Sequence, residues 1–438
     1  MAPRIQLTLA AVALCFGLFA FFYVRNYVTP KPHGVIVFIA HGLNPELLTL
    51  ARVYDEGLQH ELYLDRLSYS ALIKTYSANR LIPDEAAATM AIATGKKTPN
   101  ELLGLDAKDH RLDNLIYRAQ RKGRKTGLIT TAQVTDPTPA AFYANTKNLA
   151  NRTELAAQFM DSSQLDILMG GGKSAFRPPS ENYPMGLRQD GRNLIREAKQ
   201  RKFSVIDNAD ELEDLSVWGA GRVLALFDEA EFPYRADLAH WFPQQKRPTQ
   251  HPLLSDMVRR AIELLQFRVG GYLLVVDSAL IAKAISQNQA KRAVGEVLDL
   301  DIAVKTARKY AGENALIVVI SGYNVGGLTV HGSFSSAVKG NALFQLQTNI
   351  IPSISWQSGP GAFPNGSKEK SELERLQRHG LVQTNPFAPD FRQPALLHAA
   401  QAYHTAGDSL VLASGPGAEK VHGILENTDL FEIINSEL

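Results

Sequence analysis

The chain of 438 residues contains a single cysteine, Cys15, so no disulfide can form within it. Its stability must come from core burial, whatever redox compartment it occupies. No block of like charge stands out: 46 basic residues against 44 acidic ones give a net charge of +2. That balance gives nucleic acid no electrostatic footprint and argues against it as a partner. The 11 histidines are scattered, with no Cys/His tract of the kind that builds a compact zinc module. There is no visible internal repeat, and beyond residue 24 no apolar run long enough to cross a bilayer. What remains, 45% hydrophobic and 21% charged, is the composition of an ordinary globular protein.

The N-terminus is the exception. Residues 5–24, IQLTLAAVALCFGLFAFFYV, carry no charge and are flanked by Arg4 and Arg25. As a helix this run is about 30 Å long, the thickness of a hydrocarbon core. It exceeds the usual apolar stretch of a signal peptide and lacks a small-x-small cleavage site, which favours an uncleaved anchor over a cleaved signal segment. Arginine on both flanks leaves the orientation open. The expected organisation is a membrane anchor over 1–28, a short linker over 29–33 and one body over 34–438.

The body opens with GVIVFIA (34–40), a continuous apolar run typical of a strand buried on both faces. A helical pattern follows at 45–56. Asp84 stands where an N-cap belongs, before an alanine-rich helix closing at Gly95. Further helices are expected at 112–122, 153–160, 254–267 and 280–310, and further strands at 126–131, 165–169, 223–227, 271–276, 315–320 and 409–413. Strands alternating with helices imply a mainly parallel sheet with helices on both faces, an α/β fold. The stretch 325–394, rich in Gly, Pro, Ser and Asn, reads as an insertion decorating that sheet. In such sheets sites form beyond the carboxyl ends of the strands, which singles out residues 41–42, 132–138, 170–172, 277–286 and 321–324.

Several of those positions fall in recognisable segments. VIVFIAHGLN (35–44), PDEAAATMAIATGKKT (83–98), GLITTAQVTDPTPAAFYANT (127–146), DILMGGG (166–172), GYLLVVD (271–277), ALIVVISG (315–322) and YHTAGDSLVLASGPGAEKVHGILENT (403–428) resemble, in order, the alkaline phosphatases. The resemblance implies an alkaline-phosphatase-like fold and a chemistry in which a serine attacks phosphorus between two zinc ions, beside a magnesium site. It also implies a body outside the cytoplasm and a homodimer.

Carried over residue by residue, most of that chemistry is missing. Glu85 stands at the nucleophile position. There its charge would repel a phosphate dianion, or it simply stabilises the helix N-terminus. His41 replaces the shared metal aspartate, as a ligand to one ion or as a polar turn residue. Tyr323 and Asn324 replace an Asp-His ligand pair, and Ala282 and Ser286 a second one. The phosphate-clamping arginine aligns with Leu149, three residues before Arg152. Asp136 and Thr138 match magnesium ligands, Asp277 takes the place of a glutamate, and His404 matches a zinc histidine. Asp136 and Thr138 are either metal ligands or residues that order a loop. The expectation is a catalytically impaired pseudophosphatase acting by binding, or in envelope assembly, without a two-zinc centre. Its ligand would be a protein partner or a phosphorylated molecule. The alternative is a phosphoric-ester hydrolase with one Mg²⁺ or other divalent ion held by the surviving oxygens. A weaker reading makes the insertion, with Trp356, Phe363 and Phe387, a partner surface.

Overall fold

The computed structural model describes residues 12–20, 31–57, 59–181, 183–241, 251–267, 270–331, 339–340, 344, 354–361 and 385–438. Most of the expected anchor over 1–28 lies outside them, as do residues 29–30 of the linker. Residues 12–20 are helical, and Val12, Leu14, Phe16, Leu18 and Phe19 on this stretch are all exposed. Among the described residues no helix is long and apolar enough to cross a membrane.

The body is built on a ten-stranded sheet in the order β15-β2-β14-β8-β1-β7-β3-β4-β6-β5. In chain order these are β1 (Gly34–Ile39), β2 (Tyr69–Lys74), β3 (Lys125–Gln133), β4 (Ile167–Gly171), β5 (Ser204–Ile206), β6 (Val223–Leu226), β7 (Tyr272–Asp277), β8 (Ala315–Ile320), β14 (Ser409–Ser414) and β15 (Gly423–Glu426). β1 lies between β7 and β8 in parallel register, and only β14 runs antiparallel to its neighbours β8 and β2. The mainly parallel sheet read from the sequence is therefore present.

Alternation along β1 divides the core. Ile36 and Phe38 face a cluster formed with α1 (Pro45–Asp55), α5 (Leu254–Leu265) and α7 (Ala290–Ala311). Val35, Val37 and Ile39 face the other side, against α2 (Glu85–Thr94), α3 (Leu115–Arg121), α4 (Arg152–Ser162) and α8 (Asp429–Glu437). Both faces are covered, so every residue of β1 is buried. Four of these helices start on an Asn or Asp whose side chain accepts an amide of the first turn: Asn44, Asp84, Asn114 and Asn151.

Three local readings are corrected. The single helix expected over 280–310 is two, α6 (Leu280–Ser286) and α7. Asn288 breaks it in a left-handed conformation, φ 57°, that asparagine tolerates. The break has a partner: Asn288 Nδ2 donates to the Ser358 carbonyl at 3.0 Å, and its Oδ1 accepts the Gly361 amide at 3.0 Å. β4 runs on through Gly170 and Gly171 instead of stopping before them, because Gly170 pairs with Leu226 of β6 and Gly171 with Gln133 of β3; a Cβ at Gly171 would lie 1.9 Å from the Ala230 carbonyl oxygen, so that pairing needs glycine. β2 was not read as a strand; its pattern is a short alternation with Ala71 and Ile73 inward.

Within the expected insertion over 325–394, β10 (Thr329–Val330) and β11 (Ile354–Gly359) join β12 (Ala395–His398) in a three-stranded sheet. β9 (Asn324–Val325) pairs with β13 (His404–Thr405). Trp356 is buried in the main core and offers no partner surface, whereas Phe363 lies outside the described residues.

Candidate active site

The carboxyl ends of β1, β3, β7 and β8 deliver His41, Asp136, Thr138, Asp277 and Tyr323 to one cavity region. The N-terminus of α2 adds Glu85, α6 adds Lys283 and β13 adds His404. The cavity holds about 190 Å³ and is lined by Glu85, Asp277, Lys283, Tyr323 and His404 among others.

Glu85 does not cap its own helix. Asp84 does, accepting the Ala87 amide at 2.8 Å. Glu85 Oε1 instead reaches across to the turn after β3, where it accepts the amide of Thr138 at 3.1 Å and its hydroxyl at 2.7 Å. Behind it runs an ordered chain. The Gly322 amide donates to His41 Nδ1 at 3.1 Å, which places the ring proton on Nε2. Nε2–H then donates to Thr89 Oγ1 at 3.1 Å, and the Thr89 hydroxyl lies 3.3 Å from Thr138 Oγ1. Because the Thr138 hydroxyl is committed to Glu85, Thr89 must donate to it. A backbone amide at one end thus fixes the direction of every hydrogen bond up to the carboxylate. A Cβ at Gly322 would lie 2.5 Å from His41 Cε1, so glycine is needed there.

His41 is buried, and burial together with His404 pushes its pKa down to about 3, so the ring is neutral. Tyr323 lies between the two histidines. Its ring stacks on His41 at 4.4 Å and on His404 at 4.3 Å, nearly parallel to both. Its hydroxyl is held well above its ordinary pKa by burial and by the nearby Glu85 and Asp277. His404 donates Nδ1–H to the Pro83 carbonyl at 2.9 Å, which leaves Nε2 unclaimed by that contact.

The acids divide by their partners. Asp136, buried, is ion-paired on both oxygens: Arg152 Nη1 lies 3.0 Å from Oδ1 and Lys283 Nζ lies 3.0 Å from Oδ2. It makes no cap hydrogen bond to the turn that follows it. Lys283 also donates to Glu231 at 2.6 Å; burial opposes its charge, but Asp136 and Glu231 outweigh burial and hold the ammonium. Asp277 accepts the Thr130 hydroxyl at 2.7 Å on Oδ2, while Oδ1 is buried without a hydrogen-bond partner. Burial, then the charge of Glu85, raises the Asp277 carboxyl well above the ordinary range. Glu85 is raised by burial and then by Asp136. Two carboxyls with raised pKa values facing one cavity favour sharing a proton or a cation over both being charged.

The fit to metals follows. A two-zinc centre does not fit. Ala282 and Ser286 offer no strong ligand, both nitrogens of His41 are engaged, and Tyr323 fills the space between the histidines. Among the described residues no group of three or more His, Cys, Asp or Glu is placed to hold an ion. The nearest approach to a cation site is the orphaned Oδ1 of Asp277 with Glu85 beside it, an oxygen pair of the type Mg²⁺ takes. Asp136, expected in that set, is instead neutralised by Arg152 and Lys283.

Of the residues expected from sequence, the structure brings Glu85, His41, Thr138, Asp277 and His404 to one cavity and places Asp136 against Lys283 at its edge. Of the strand-end positions singled out, 170–172 lie apart, with the Gly172 amide bonded to the Ala230 carbonyl. The sequence reading missed Lys283, whose spacing six residues after Asp277 on an expected helix was the available signal. It also treated Tyr323 only as a lost ligand, when the ring is a structural member of the site. Leu149 packs against the core, and Arg152 reaches the site from the first turn of α4.

The relatives of this chain match along its length. It is 26% identical to the tissue-nonspecific isozyme of alkaline phosphatase from Gallus gallus over 444 residues, covering 90% of this chain and 82% of that one. Alkaline phosphatase 4 of Bacillus subtilis is 27% identical over 373 residues, covering 81% and 76%. Among solved structures, the alkaline phosphatase of Thermus thermophilus superposes with a TM-score of 0.71 at 22% identity, covering 95% of this chain and 94% of that one. The enzyme from the Antarctic bacterium TAB5 gives 0.69 at 20% identity, covering 93% and 98%, and a mutant of it was solved with Mg bound in its M3 site. The family model for alkaline phosphatase matches residues 33–438, the whole body described above. With that match spanning every strand of the sheet, the chain belongs to the alkaline phosphatase family.

Proposed function

We propose that this chain is a family member that no longer runs two-zinc phosphoryl transfer and works by binding at the retained cavity. The observation that carries this is Tyr323, whose ring is stacked between His41 and His404. Charge stabilisation is usually the largest catalytic contribution in such sites, and the ligands that would hold two ions are absent. Glu85 at the attacking position supports the same reading, since its negative form would repel a phosphate dianion. The exposed apolar side chains of residues 12–20 support an N-terminal membrane anchor, and family membership supports placing the body on the extracytoplasmic side. A helix apolar on all sides needs lipid or a packed interior around it.

The test is hydrolysis of p-nitrophenyl phosphate by the purified full chain with added Zn²⁺ or Mg²⁺, with Glu85→Ala as the control for contaminating phosphatase. Turnover no greater than that control, with well under two zinc ions bound per chain, is expected. Two bound zincs, or zinc-dependent turnover above the control, would overturn the reading.

A second reading has its own observation, the buried and unpartnered Oδ1 of Asp277. Here Asp277 and Glu85 would hold one divalent cation, which would supply an activated water for ester hydrolysis. Thr138 and Thr89 would orient the Glu85 carboxylate through the chain anchored on Gly322 and His41. Magnesium-dependent turnover lost in both Glu85→Ala and Asp277→Asn would favour it over the first.

A further inference from the structure

The end of the sheet opposite the cavity carries an unusual surface. Trp218 is 76% exposed and Phe267 is 58% exposed, and their rings meet at 5.3 Å. The pair adjoins the point where the chain enters the body: the Gln266 carbonyl, one residue before Phe267, lies 2.7 Å from His33 Nε2. Next to it is a cationic cluster. Lys31 Nζ donates to the Leu438 carbonyl at 2.9 Å, and Lys122 Nζ to the Asn435 carbonyl at 2.7 Å. Arg124 donates to the carbonyls of Pro32 and Glu437. Lys31, Arg124 and Arg118 are close enough to Lys122 to disfavour its charge, after burial. Acids on this face are already paired: Asp166 with Lys125 at 2.5 Å, Asp113 with Arg118 at 3.2 Å and Glu437 with Lys420 at 2.5 Å, which leaves Lys31 and Lys122 on backbone oxygens.

All of this lies at the amino ends of the parallel strands, beside Gly34 of β1 and Tyr272 of β7. The cavity lies at their carboxyl ends. A strand of six residues separates the two by about 20 Å. The covalent chain sets a further limit. Seven peptide steps join Val24, the last residue of the uncharged run, to Lys31, and a fully extended chain of that length reaches about 25 Å at most.

We propose that the face bearing Trp218, Phe267, Lys31 and Lys122 rests on an anionic lipid surface, with the cavity opening away from the bilayer. The proposal rests on residues 5–24 being membrane-embedded. With the tether that short, the surface nearest residue 31 is the one brought against the headgroups. Tryptophan sits at headgroup level and phenylalanine inserts at the headgroup/acyl boundary, and clustered lysine and arginine are attracted to acidic lipid. Among the described residues, neither of these exposed rings has a ring contact other than the one to its neighbour.

The experiment uses the full chain with Cys15→Ser, carrying either Trp218→Cys or Gln401→Cys, labelled with a fluorophore. The protein is reconstituted in vesicles of phosphatidylcholine and phosphatidylglycerol that contain a headgroup-region spin-labelled lipid. Gln401 is an exposed residue at the cavity. The expected result is quenching several-fold stronger at position 218 than at 401, weakened when phosphatidylglycerol is left out. Equal quenching at the two positions in chains that float with the vesicles would overturn the docking while leaving the anchor intact. Chains that fail to float would overturn both. Ready disulfide-linked dimers through the unlabelled cysteine at 218, in place of lipid quenching, would assign the face to a second copy and overturn the proposal as well.

Discussion

Glu85 and Thr138 are joined twice through one oxygen: Oε1 of Glu85 accepts both the amide and the hydroxyl of Thr138. This ties the first turn of α2 to the turn after β3, across the position where the resemblance places a nucleophile. Glutamine at 85 keeps the carbonyl oxygen and removes a charge that burial and Asp136 oppose. Glu85→Gln is therefore expected to be nearly neutral, whereas Glu85→Ala strands a buried donor pair at a cost of about 1–3 kcal/mol. Urea unfolding of both variants checks the difference.

Tyr323 is 4% exposed and touches a histidine ring on each face. Tyr323→Ala leaves a cavity between the two rings and is expected to cost about 3–5 kcal/mol. Tyr323→Phe retains the stack and is expected to cost far less. A loss in Tyr323→Ala no larger than that in Tyr323→Phe, measured by chemical denaturation, would show that the ring does not hold the site together.

Lys283 supplies one of the two cations that neutralise buried Asp136. Lys283→Ala leaves Arg152 as the remaining cation, and the expected loss is about 1.5–3 kcal/mol, the value of a charge-assisted bond to a buried group. In Lys283→Ala/Asp136→Ala the stranded charge is gone, so the double variant should lose less than the sum of the singles. A double-mutant cycle by equilibrium unfolding measures that coupling.

Away from the cavity, Glu296 on α7 is buried and accepts the Arg235 amide at 2.7 Å. Burial, then Asp299, raises its pKa from the usual 4.5 to about 8. Burial likewise raises Asp299 to about 6, against the pull of Arg235. An acid with a raised folded-state pKa binds its proton more tightly when folded. Its stabilising contribution is present below the unfolded value and is lost as pH rises through the folded one. Stability should therefore fall between about pH 4.5 and 8, by at most about 1.4 kcal/mol per pH unit for each such group. Glu296→Gln retains an acceptor for Arg235 and should flatten the upper part of that fall. A thermal-unfolding series across pH, wild type against variant, is the measurement.

Much of the fold was legible along the chain because its signals are local. Continuous apolar runs marked β1, β7 and β8, and Asp84 with Gly95 bracketed α2, since period and capping involve residues only a few positions apart. The break at Asn288 was not legible, because the residues it bonds lie at 358 and 361. The same limit held in the site. Strand ends marked His41, Asp136, Thr138 and Asp277, whereas Glu85 and His404, and the expectation that two zinc ions lack ligands, came from the resemblance to the alkaline phosphatases.

Sequence by itself determined the central strands β1, β7 and β8, the two ends of α2 and the absence of a serine at position 85. Only the tertiary structure decided that Tyr323 fills the gap between His41 and His404 and that Asp136 is spent on Arg152 and Lys283. Only there, too, does the Gly322 amide fix the hydrogen-bond direction up to Glu85. The reason is physical. Backbone preference acts between near neighbours, whereas ring stacking, ion pairing and the sense of a hydrogen bond depend on atoms that meet only after residues 41, 89, 138 and 323 have been folded together.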